Sequence, residues 1–254
     1  MSFTFNGGGS SNYGFNVTKR SVYSAPAYDV LSEEVAGRSG NVLIPQGRFK
    51  NKKVSYTGFL IADTFAGQTK ADRLSNGLRR LKSWLLGGGI AGQYKILTDD
   101  YDPGFSRFAY VAGETSISDI QDRPEGAELT ITFDCQPFLY ALSESYSGSS
   151  LITLENPYSF ESNPEILLAL SSSTGTMKIS KGTTTLGTWT FTGASGDRFY
   201  WGPEDMEWVD NSDNLVNNKV STNGSNIPYL PTGGSKIELT GIGSFTIYPH
   251  WRTL

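Results

Sequence analysis

Apolar residues recur at every second position in segment after segment of this chain, and that period constrains the fold more than any other feature of the sequence. In "ELTITFDC", Leu129, Ile131, Phe133 and Cys135 fall on one face and Thr130, Thr132 and Asp134 on the other, as in an antiparallel strand with one buried side. "VSYTGFLI" (54–61), "YKIL" (94–97) and "RFAYV" (107–111) repeat the pattern. Beyond residue 150, "LITL" (151–154), "EILLAL" (165–170), "TMKIS" (176–180), "TWTFT" (188–192), "RFYW" (198–201), "MEWV" (206–209), "KIELT" (236–240) and "SFTIYP" (244–249) read as further short strands. The 29 glycines among 254 residues exceed the usual share of about 7% and supply the tight turns that so many strands need.

One segment departs from the two-residue period. In "TKADRLSNGLRRLKSWLLGGG", Leu74, Leu78, Leu81 and Leu85 are spaced to form a single helical stripe, with Trp84 beside it and Arg73, Arg79, Arg80 and Lys82 around the rest. The spacing predicts a helix over about 70–86, capped by Thr69 with Asp72 in its first turn and ended by Gly87 in the left-handed conformation. This placement decides the meaning of "LLGGGIAG", where Gly87, Gly89 and Gly92 match the dinucleotide pattern G-x-G-x-x-G. A phosphate loop needs its glycines ahead of a helix N-terminus; here they follow the helix and face its negative end.

The serine- and glycine-rich stretch "ALSESYSGSS" (141–150) marks the expected boundary between two domains, 1–142 and 143–254. The first is expected to be a β-sandwich-like domain with the one helix, the second a β-sandwich. The chain is long enough for each to have its own core.

Charge and composition narrow the function. A net charge of −4 with 18% charged residues leaves no basic footprint for nucleic acid, and no stretch approaches the roughly 20 apolar residues that span a bilayer. The opening "MSFTFNGGGSSNYG" lacks a secretory signal pattern, so the expectation is a protein made and kept in solution. Cys135, the single cysteine, excludes a disulfide framework within the chain and any cysteine-rich metal cluster, and reads as a core residue. His250 is the only histidine, so Ser-His-Asp, Cys-His and histidine-rich metal sites lack their main component.

Two carboxylate clusters merit weighing as a glycosidase pair. Asp99, Asp100 and Asp102 run into a Pro103-Gly104 turn, while Glu204, Asp205 and Glu207 sit beside aromatic residues. Both read as solvated loop carboxylates. "DNSDNLVNNKVS" starts like a calcium loop at Asp210, Ser212 and Asn214, then departs from it at Leu215 and Ser221, and so reads as a turn. Arg48, Lys50, Lys52 and Lys53 in "QGRFKNKK" read as a solvated hairpin tip, or alternatively as a contact for an acidic surface on another subunit. No catalytic residue, metal ligand or cofactor site is assigned, and no enzyme is expected.

The order of features resembles the distal tail protein (Dit) family of bacteriophages with long, non-contractile tails. "FTFNG" is similar to the family's opening strand and turn, and "AGRSGNVLIPQGRF" places Arg38 and Gly40 like its arginine-x-glycine before a hairpin. Relatives often have a compact proline-glycine-arginine turn where this chain has "VAGRSG". "LRRLKSWLLGG" resembles the single helix, "AELTITFDCQPFLY" the strand closing the first domain, and "IPYLPTGGSKIELTGIGSFTIYPHWRTL" the closing pattern. The resemblance implies a first domain that assembles into a six-membered ring around the tail channel, and a galectin-like second domain facing outward. It further implies a hub between the tail tube and the tail-tip protein, holding receptor-binding proteins in some relatives. Such a protein belongs to the virion, is assembled in the host bacterial cytoplasm, touches nucleic acid only as it passes through the channel, and does not enter the membrane. A different class remains open: a carbohydrate-binding sandwich using Trp189, Trp201 and Trp208, although alternation could equally bury all three.

Overall fold

A computed structural model describes the chain except for residues 22–23, 113–115, 120–125, 143 and 203–205, and for 116–119 it describes the backbone alone. The described residues fall into two compact units, Met1–Leu139 together with Leu254, and Tyr140–Thr253.

The first unit is built on one antiparallel sheet with the order Gly8–Gly9, Phe3–Phe5, Lys95–Asp99, Phe105–Val111, Gly126–Cys135, Lys52–Ile61, Phe15–Arg20. Its longest pairing sets Ile131 opposite Tyr56 and Phe133 opposite Val54, so the apolar alternation of both strands falls on the same face. That face curls inward until strands remote in the order meet: the rings of Phe3 and Phe15 lie 6.2 Å apart, edge to face. The result is sandwich-like, with Phe5, Tyr56, Leu60, Leu97, Leu129, Ile131 and Phe133 essentially without solvent contact. Each fully buried large apolar side chain contributes about 1.5–3 kcal/mol.

The helix Lys70–Leu86 covers this core with Leu74, Leu81, Trp84 and Leu85. A reciprocal capping box joins Thr69 and Asp72 at its start. Trp84 stacks on Tyr13 with ring centres 4.3 Å apart and donates its indole N–H to the Phe5 carbonyl at 3.2 Å. The left-handed stop comes one residue later than expected. Gly87 still donates to the Ser83 carbonyl at 2.9 Å with a φ of −83°, and the chain turns at Gly88, whose φ is +66°. The extra helical bond at Gly87 defers the turn.

Tyr28–Glu33 and Val42–Phe49 form a separate two-stranded ribbon that joins no larger sheet among the described residues. The expected hairpin tip at residues 48–53 is therefore corrected. Val42–Phe49 pairs back onto Tyr28–Glu33 and not onto Lys52–Ile61, so Lys50 and Asn51 are the joint between ribbon and sheet.

The second unit is a sandwich of two five-stranded antiparallel sheets among the described residues. One has the order Tyr146–Gly148, Ile242–Tyr248, Glu165–Leu170, Arg198–Trp201, Trp208–Val209; the other Leu151–Asn156, Gly233–Thr240, Thr174–Lys181, Thr184–Thr192, Val220–Gly224. Alternate residues of both sheets, among them Ile166, Leu168 and Ile247 from one and Met177, Ile179 and Ile237 from the other, fill a single core.

Candidate functional site

The inner face of the first sheet carries one group of charges. Arg107 occupies a core position on Phe105–Val111, with its side chain 1% exposed, and reaches Asp99 at 3.3 Å and Asp102 at 2.6 Å. Arg20, at the end of Phe15–Arg20, meets the same two carboxylates at 3.4 and 3.2 Å. Tyr56 donates its hydroxyl to Asp99, whose other oxygen accepts the backbone N–H groups of Tyr101 and Asp102 at 3.0 and 3.1 Å. Two guanidinium groups thus face two carboxylates, and the cluster is neutral as a whole.

Its electrostatics follow from that balance. Burial alone would raise the Asp102 carboxyl, but the hydrogen bond and charge of Arg107, aided by Arg20, outweigh it and hold the group below the ordinary carboxylate range. Burial, then the negative charge of Asp99, pushes the Tyr56 phenol far above its usual value. Such a network ties strands together across the curl, because Phe15–Arg20 and Lys95–Asp99 are not neighbours in the sheet. The expectation that Asp99 and Asp102 are solvated is corrected: each has an arginine partner that draws it out of water. Asp100 does remain exposed, where it accepts from the backbone and hydroxyl of Ser2 at 2.7 and 2.9 Å. Sequence reading missed Arg20 and Arg107 as partners. The signal for Arg107 was present, since "RFAYV" sets it in phase with the inward-facing Ala109.

The other candidates do not converge. Glu204 and Asp205 lie outside the described residues, and Glu207 is half-buried. His250, at a φ of +49°, has Glu165 3.4 Å from its Nε2. Asp210 holds a tight turn, its Oδ1 accepting from the backbone of Ser212 at 2.8 Å and Asn214 at 3.1 Å. Arg48 and Lys50 clamp Asp29 at 2.9 and 3.1 Å, and Lys52 donates to the Ser24 carbonyl at 3.3 Å. Burial, then the positive charge of Arg107, lowers the Lys52 ammonium. Burial pushes the Cys135 thiol up to about 12. No group of three or more His, Cys, Asp or Glu side chains among the described residues is placed to hold a metal ion. No helix among them is long and apolar enough to cross a membrane.

The three indoles proposed for sugar stacking are core residues. Trp189, Trp201 and Trp208 are 0%, 2% and 3% exposed. Trp208 packs edge-on to Phe191 at 4.8 Å and lies 5.3 Å from Trp201, while Trp189 donates to the Asn226 carbonyl at 3.2 Å. Their faces are already covered by protein.

No protein-family model matches the chain. No curated protein matches its sequence either. Among solved structures the chain is similar to the crystal structure of the Dit protein of phage SPP1, with a TM-score of 0.74 over 100% of this chain and 99% of that one, at 14% identity. This chain has the Dit fold. SPP1 Dit is described as a paradigm of the hub adsorption apparatus in phages infecting Gram-positive bacteria. At 14% identity the likeness is one of fold.

Proposed function

We propose that this chain is a structural protein of a phage tail, six copies of which close into a ring at the distal end. The ring would be a hub joining the tail tube to the tail tip and to host-adsorption proteins, and it would act without catalytic turnover. The observation that carries this reading is the extent of the Dit likeness, which takes in both units and essentially all of both chains. A β-sandwich shared by chance would match one unit and leave the other unaligned.

In this reading the first unit forms the ring and the second faces outward, where receptor-binding proteins dock. The setting is the virion, after assembly in the host cytoplasm. Because the net charge is −4, nucleic acid would traverse the channel without being gripped. A closed ring joins two different patches on each subunit head to tail. Light scattering on the purified chain, alone and mixed with tail-tube and tail-tip proteins, is expected to show one defined oligomer, and negative-stain images an annulus with a central hole. Monomer alone at high concentration, with no annulus on mixing, would overturn the reading.

A further inference from the structure

Beside the charge cluster, and within the first unit, lies a cleft of about 170 Å³. Arg20, Ser21, Ser24, Lys52 and Arg107 are among the residues that line it, and no Asp or Glu is. Ser24 is exposed and Lys52 half-buried, so solvent reaches the cleft. Lys52 opens the strand Lys52–Ile61 in phase with the inward-facing Val54 and Tyr56, opposite the buried Cys135.

The polar side chains around this cleft are donors, and several have hydrogen atoms to give. The Ser21 hydroxyl oxygen accepts the backbone N–H of Ser55 at 3.0 Å, which leaves its own proton for another partner. Lys52 donates one of its three N–H groups to the Ser24 carbonyl at 3.3 Å and forms no ion pair with a carboxylate among the described residues. Arg107 Nε is out of contact with solvent and has no acceptor among them, an uncommon state for a buried donor.

The charges lead to the same point. Asp99 and Asp102 balance the guanidinium groups of Arg20 and Arg107, and Lys52 then adds a third cation with no anion of its own. Burial, then the positive charge of Arg107, lowers the Lys52 ammonium, as expected where positive charge is in excess and partly out of water. One singly negative group in the cleft cancels that excess, whereas a doubly charged phosphate overshoots it.

We propose that the cleft binds a single carboxylate group, held by the Lys52 ammonium and the Ser21 hydroxyl in the field of Arg20 and Arg107. The group belongs either to a free small carboxylate or to an Asp or Glu side chain of another protein chain. Bonds of this charge-assisted kind are roughly twice as strong as neutral ones. The assignment stands on these contacts and does not depend on the ring reading.

The test titrates the full-length wild type with acetate, and for comparison with acetamide and with sodium chloride at the same ionic strength. The readout is the rate at which a thiol reagent labels Cys135 in mild urea, because that buried thiol reacts only when the first unit opens. Acetate is expected to slow labelling saturably, about tenfold at ten times its Kd, and acetamide and chloride to leave the rate unchanged. In Lys52→Met and Lys52→Gln the ratio of rates with and without acetate is expected to fall to one. Lys82→Met, at an exposed position on the helix, should keep the wild-type ratio. Acetyl-Gly-Glu-Gly-amide binding more tightly than acetate would support a protein side chain as the occupant, and weaker binding a free carboxylate. Equal effects of acetate and acetamide, no effect of acetate or the peptide, or an acetate effect that survives in a folded Lys52 variant would each overturn the proposal. Inorganic phosphate binding more tightly than both carboxylates would overturn it as well.

Discussion

Arg107 stands where alternation calls for an apolar side chain, and the fold accommodates it only by bringing Asp99 and Asp102 to it. Arg107→Ala would leave Asp99 buried with much of its compensation gone, so a loss of about 3–5 kcal/mol is expected from urea unfolding of the first unit. Arg107→Met combined with Asp99→Asn should recover part of that loss, since no lone buried charge remains. The pH dependence follows from Asp102. Its carboxyl is depressed in the fold, so its stabilisation is present above the unfolded value of about 3.9 and is lost as pH falls through the lower folded value. The urea midpoint of the first unit should therefore drop below about pH 4, and Asp102→Asn should flatten that part of the curve. An unchanged slope in the variant would assign the acid sensitivity to other groups.

Among the elements, the helix is held by a close fit as well as by its stripe. The Phe65 ring is wedged between Gly14 and Gly77, and a Cβ at either glycine would collide with it. Helix propensity favours Gly77→Ala by about 1 kcal/mol. The collision opposes that gain, and displacing the ring from its seat costs about 1–3 kcal/mol. A net loss of stability is therefore expected in thermal unfolding, against the usual direction for an exposed helical glycine. Thr69→Ala should cost about 1 kcal/mol by removing the cap. Most strands were legible because one face of each is buried, as in Gly126–Cys135. The ribbon Tyr28–Glu33/Val42–Phe49 was not, because side chains apolar on both faces erase the two-residue period. Val220–Gly224, "VSTNG", was likewise missed: a short, mostly exposed edge strand has little apolar pattern to show.

For the whole molecule, two separate cores predict two separable responses. Trp189, Trp201, Trp208 and Trp251 belong to the second unit and Trp84 alone to the first, so tryptophan fluorescence reports chiefly on the second. Ile247→Ala, at a fully buried position, should lower the stability followed by fluorescence by about 2–5 kcal/mol. Arg107→Ala should leave that transition nearly in place while shifting the reactivity of Cys135, which becomes available to a thiol reagent only when the first unit opens. One common shift in both signals would show that the units unfold together.

The sequence by itself determined the strand-rich character of the chain, its helix and the inability of the glycine loop to act as a phosphate site. These are local properties, written in the spacing of apolar residues along a few turns or a few strand positions. Only the tertiary structure decided which carboxylates meet arginines, that three tryptophans are enclosed, and that one ribbon pairs with no larger sheet among the described residues. Those outcomes depend on which distant segments become neighbours: Arg20 and Asp99 lie far apart along the chain, and only the curl of the sheet sets one beside the other.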